Sequence, residues 1–164
     1  IAKIMESLVE AFDSLKDSRV AEGEKLAKVL QRQLQGISDC IDATEVILAR
    51  REQDKNERLQ VQLGAILKAQ PPLPEERLLQ ELALIAIKSD ITEELDRLRS
   101  HVTASKQLLK DCDPKGRRLD FLCQEFNREA NTICSKAHDT ELTTHGLEMK
   151  ALIEQLREQV QNVE

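Results

Sequence analysis

Four side chains that can do acid–base or metal chemistry recur at helical spacing: Asp90, Glu94, Arg97 and His101, separated by 4, 3 and 4 residues. At 100° per residue they share one stripe, with Glu93 at its edge. The two carboxylates and the imidazole form a ligand set for a hard divalent ion, or a histidine general acid or base beside carboxylates, with the arginine on the same stripe. The same spacing also makes ordinary helix-surface pairs, Glu94 with Arg97 and Arg97 with His101, each stabilising by a few tenths of a kcal/mol. Spacing alone leaves both readings open.

A second concentration of polar chemistry lies in GRRLDFLCQEFNREANTICSK, residues 116 to 136. Wound as a helix, it buries Leu119, Leu122, Phe126, Ala130, Ile133 and Ala137, flanked by Cys123 and Cys134. Asp120, Gln124, Asn127 and Asn131 repeat the 4, 3, 4 spacing on another face, with Arg128 beside them. Arg118, Glu125, Glu129 and Lys136 make a third, charged face. Asn and Asp are poor helix formers, so a row of them needs a reason. It suits hydrogen bonding to a ligand, a phosphodiester or another subunit, or a polar network between helices.

These stripes need long helices to carry them. The 164 residues hold only five Gly and four Pro, 33% are charged, and Leu, Ala, Glu, Gln, Lys and Arg dominate, which predicts an all-α fold. Ile4, Leu8, Ala11 and Leu15, then Leu26, Leu30, Leu34, Ile37 and Ile41, predict one or two long helices up to about residue 68, exposed or bent near REQDKNER. QPPLPEE (70–76) and DCDPKG (111–116) break the pattern. Leu84, Ile87, Ile91, Leu95, Leu98 and Val102 predict a helix after Pro74 whose front half, LLQELALIAI, is deeply buried. A last helix carries Met149, Leu152, Leu156, Val160 and Val163 on one side. The expected organisation is a helical hairpin or stalk over 1–70, followed by a helical bundle over 71–164 that holds both polar stripes.

Composition also excludes classes of function. Aromatics are 2% of the chain, with no Trp or Tyr, which leaves little for base stacking. The net charge of −6 argues against a broad electrostatic grip on nucleic acid and leaves room only for local basic patches. Cys40, Cys112, Cys123 and Cys134 form no CxxC pair and read as free thiols. LALIAI is far too short to span a bilayer, so no membrane role and a cytoplasmic location are expected.

The run GRRLDFLCQEFNREANTICSK, with EMKALIEQLREQVQNVE at the end and RLLQELALIAIKSDITEELDRLRSH and VAEGEKL upstream, closely resembles the YicC-like (YicC/YloC) family of bacterial endoribonucleases, in its C-terminal helical part. The likeness covers nearly the whole chain. The family's N-terminal domain is not among the matched segments, which suits a piece of a longer protein. The resemblance implies manganese- or magnesium-dependent cleavage of RNA, including structured small RNA, in a ring-like homo-oligomer, a hexamer. Glu81, Asp90, Glu93, Glu94, Arg97 and His101 match its first motif. Arg117, Arg118, Asp120, Gln124, Glu125, Asn127, Arg128, Glu129, Asn131, Ser135 and Lys136 match its second. His138 and His145 fall outside both and read as surface histidines.

On this basis Asp90, Glu94 and His101 are expected to ligate or orient the ion, with Glu93 as a spare ligand or base. Arg117, Arg118, Arg128 and Lys136 are expected on phosphates, and Gln124, Asn127 and Asn131 on ribose or backbone. The competing expectations are an RNA-binding adaptor and an oligomerisation module, each without nuclease activity of its own.

Overall fold

The computed structural model describes residues 2–66, 90–111, 114–137 and 140–163, with residues 52–66 as backbone only. The chain is all-α: the described residues form α1 (Ala2–Ile66), α2 (Thr92–Leu108), α3 (Gly116–Lys136) and α4 (Thr140–Val160), with no strand. The QPPLPEE break, the LLQELALIAI segment, Glu81, Cys112 and His138 lie outside the described residues.

The first 66 residues contain one helix rather than two. α1 runs unbroken through REQDKNER and, at 65 residues and 1.5 Å per residue, extends for about 97 Å. Its apolar positions Leu30, Leu34, Ile37, Ile41 and Ile47 are buried, whereas every residue from 2 to 25 is exposed and burial begins at Leu26. The second half of α1 thus serves as one member of a four-helix bundle, and residues 26–51 share an apolar interior with α2, α3 and α4.

Each helix touches two neighbours, in the cycle α1–α2–α3–α4–α1. Polar contacts set the directions. Arg99 reaches Asp42 and Glu45 while Lys106 reaches Gln35, so α2 runs antiparallel to α1. Arg50 bonds Glu141 while Gln33 donates to the Gln155 carbonyl, so α4 does too. Short connections make α2, α3 and α4 alternate in the same way, an up-down-up-down bundle.

Local sequence explains the ends. α2 starts at Thr92, after the non-helical Asp90 and Ile91, where the Asp90 carboxylate accepts the Thr92 backbone N–H at 2.9 Å. Glu93 and Glu94 in its first turn and Lys106 in its last oppose the helix dipole. In α4 the buried positions Leu142, Gly146, Met149, Ile153, Leu156 and Val160 alternate at 4 and 3, a knobs-into-holes seam. Leu152 and Val163, expected on that seam, are only partly buried, and Leu152 instead lies against Gly36 of α1. At Gly146 an added Cβ would fall 2.6 Å from Cys134 Sγ, so the absence of a side chain lets α3 and α4 approach.

Candidate functional site

α2 and α3 meet through charge. Glu94 is only 5% exposed, and its Oε1 accepts from Lys136 Nζ at 2.8 Å. Lys136 also donates to the Asp90 carbonyl at 2.9 Å. Arg97 lies between Glu93, on its own helix, and Glu129 of α3, whose Oε1 is 3.5 Å from Nη1. One turn on, the His101 ring stands edge-on to Phe126, with centroids 5.7 Å apart. Its Nε2 is buried and has no hydrogen-bond partner among the described residues.

That nitrogen has company of the right kind. Ligand atoms of His101, Glu125 and Glu129 all lie within 4.8 Å of one another. One imidazole and two carboxylates suit Mn²⁺ well and Mg²⁺ less well, because Mg²⁺ prefers an all-oxygen shell. A buried imidazole with an unpartnered nitrogen among the described residues, beside two carboxylates, is a donor set that such an ion could use, so the residues fit the group the resemblance implies.

The carboxylates brought near His101 are thus Glu125 and Glu129, whereas Asp90 and Glu94, expected to share an ion with it, are placed otherwise. Asp90 precedes the helix instead of lying on its stripe, and its carboxyl is held below the usual carboxylate range by hydrogen bonds from the Thr92 side chain and backbone, with Lys136 adding a smaller charge effect. Asp90 and His101 are also 11 residues apart, about 16 Å along a helix axis, too far to share one ion. Glu94 is committed to Lys136. Glu93 is exposed and paired with Arg97.

The amide row faces elsewhere. Gln124, Asn127, Arg128, Asn131 and Thr132 of α3, with Glu154 and Arg157 of α4, line an open groove of about 630 Å³. Gln124 donates to Asp120 at 2.9 Å, and Arg157 Nε is buried without a hydrogen-bond partner among the described residues. Arg128 joins the groove to the acidic cluster, since its Nη1 lies 3.8 Å from Glu125. Arg117 and Arg118 are exposed in the first turn of α3, which holds no acidic residue. Two cations at the positive end of a helix dipole cost stability and concentrate positive potential.

The spacing puts Glu125 and Glu129 on a third, charged face of their helix and picks out only the apolar side of the helix that carries Arg157. The signal available for Glu129 was its position bordering the apolar face of α3, one residue before Ala130 and three after Phe126. Nothing in the local pattern marks Arg157.

A family profile described as "Endoribonuclease YicC-like, C-terminal" matches residues 44–164. The chain belongs to the YicC-like endoribonuclease family. "Probable endoribonuclease YicC" of Haemophilus influenzae is 41% identical over 165 aligned residues, covering 98% of this chain and 56% of that protein. The protein of the same name from Clostridioides difficile is 36% identical over 159 residues, covering 97% and 54%. The chain thus spans about half the length of these YicC-like relatives. No described helix is long and apolar enough to cross a membrane.

Proposed function

We propose that this chain is the catalytic part of a metal-dependent endoribonuclease that cuts RNA phosphodiester bonds, structured small RNA included, within a ring-shaped homo-oligomer, a hexamer, in the cytoplasm. The observation that carries the reading is the meeting of His101, Glu125 and Glu129, with Arg128 linking Glu125 to a separate groove that it lines together with Arg157, in a chain of this family. Exposed Ile4, Met5, Leu8, Val9, Phe12 and Leu15 on α1 are consistent with assembly.

In this reading His101, Glu125 and Glu129 hold Mn²⁺ or Mg²⁺. When bound, such an ion supplies polarisation of the scissile phosphate and a more acidic water. Arg97 sets the orientation of Glu129, and the Glu94–Lys136 pair locks α2 against α3 so that the His101 ring stays in register. Arg117 and Arg118 draw phosphates to the start of α3, and Arg128 and Arg157 neutralise backbone charge along the groove. Asn127 and Asn131, each both donor and acceptor, suit a ribose 2′-hydroxyl, the group that separates RNA from DNA. Lys136, already engaged by Glu94 and Asp90, is a positioning residue here and leaves the phosphates to the arginines.

The test is cleavage of a labelled hairpin RNA by the full-length protein and by this chain, in Mn²⁺ and in EDTA. The expected result is metal-dependent cleavage that falls by at least roughly 10–100-fold in His101→Ala and in Glu129→Gln, at unchanged helicity. Undiminished cleavage by His101→Ala would remove the centre. The Glu94–Lys136 and Arg97–Glu129 pairs also favour a second reading, a helix-joining network in an RNA-binding or oligomerisation module. That reading expects chelator-insensitive RNA binding and no cleavage.

A further inference from the structure

On the opposite side of the bundle, where α1 packs on α4, a second cluster has a different chemistry. Ligand atoms of Cys40, His145 and Glu148 lie within 4.8 Å of one another. Cys40 of α1 is 9% exposed, and its thiol points to the His145 carbonyl at 3.7 Å. His145, expected at the surface, has a side chain only 25% exposed, and its Nδ1 lies 3.2 Å from Glu148 Oε2. Yet that nitrogen is buried and makes no hydrogen bond among the described residues.

A nitrogen and a carboxylate oxygen that face each other without a hydrogen bond are arranged as two ligands of one cation. With metal–ligand distances of about 2.0–2.2 Å, tetrahedral ligands N and O stand about 3.4 Å apart, close to the 3.2 Å found here. The Glu148 side chain is 57% exposed, so the cluster opens to solvent on one side and leaves a position for water.

We propose that Cys40, His145 and Glu148 form a Zn²⁺ site that clamps α1 to α4. Thiolate, imidazole and carboxylate suit a borderline-soft ion, whereas the oxygen-rich set around His101 suits a harder one. The two sites therefore sort metals. On binding, the Cys40 S–H bond breaks, the proton leaves to solvent, and the sulfur electron pair goes to the metal, one proton per ion. The site draws one ligand from α1 and two from α4, so occupancy ties the long helix to the bundle.

Co²⁺, a spectroscopic stand-in for Zn²⁺, provides the test, because a thiolate ligand produces a near-ultraviolet sulfur-to-cobalt band that a nitrogen–oxygen site does not. The purified protein should develop the band at one Co²⁺ per chain, lose it on addition of Zn²⁺, and melt at a higher temperature with Zn²⁺ bound. His101→Ala should leave the band intact. Cys40→Ser should abolish it, and Glu148→Gln, on an exposed side chain that cannot endanger folding, should weaken Co²⁺ binding by at least roughly 10–100-fold. No band in the unaltered protein, its survival in Cys40→Ser, or unchanged binding in Glu148→Gln overturns the proposal.

Discussion

Replacing Lys136 by Met keeps the side-chain stem and removes the ammonium from beneath Glu94. Glu94 is 5% exposed and its Oε2 has no partner, so Lys136 Nζ on Oε1 is the one donor found for this carboxylate among the described residues. Breaking a fully buried pair by removing one partner costs about 3–5 kcal/mol. The Lys136 side chain is 29% exposed, so water reaches part of the vacated place and the expected cost falls to about 2–3 kcal/mol. For a chain of this size that lowers Tm by roughly 4–12 °C. Urea unfolding followed by circular dichroism of the single variants Lys136→Met and Glu94→Gln, and of the double, measures the coupling. The double variant carries no stranded charge, so it should be less destabilised than the sum of the singles, by about 1.5 kcal/mol or more. A coupling under about 0.5 kcal/mol, the level of an exposed pair, would refute the claim that this contact joins α2 to α3.

An Ala in the middle of a helix ordinarily stabilises relative to Gly by about 0.8–1.0 kcal/mol. Gly146→Ala should do the reverse, by about 1–3 kcal/mol, because its Cβ meets Cys134 Sγ; thermal melts should show the loss, and Cys134→Ala should recover most of it. Burial, with Asp120 adding to it, pushes the Cys123 thiol from its usual 9.0 up to about 11. A group whose folded pKa is raised contributes stability that is complete below the unfolded value, so stability should decline between pH 9.0 and about 11; the decline should be smaller in Cys123→Ala. Leu8→Lys with Leu15→Lys alters only exposed positions of α1, so the bundle should keep its helicity while sedimentation reports a smaller assembly.

Much of this architecture is legible in the chain itself. The stripe Leu30, Leu34, Ile37, Ile41 is the buried edge of α1, and Leu119, Phe126, Ala130 and Ile133 are the buried face of α3, as their spacing requires. The break read at DCDPKG falls between the end of α2 at Leu108 and the start of α3 at Gly116. Asp90 lies ahead of α2, whereas periodicity places a residue on a wheel whether or not the helix has begun. Its carboxylate accepting the Thr92 N–H decides otherwise.

The partners of each stripe belong to the tertiary structure. On α3 the Glu125, Glu129 and Lys136 flank and the amide flank lie on opposite borders of the apolar face, roughly 150° apart by helical geometry. Sequence determines that angle and both sets of residues. It does not determine whether α2 or α4 takes a given flank, because the bundle can turn either way around the same apolar faces. In the fold adopted, α2 takes the acidic flank and brings His101 to Glu125 and Glu129, while α4 takes the other and brings Arg157 to the amides. Periodicity is a property of one helix, whereas a site between helices exists only once its neighbours are chosen.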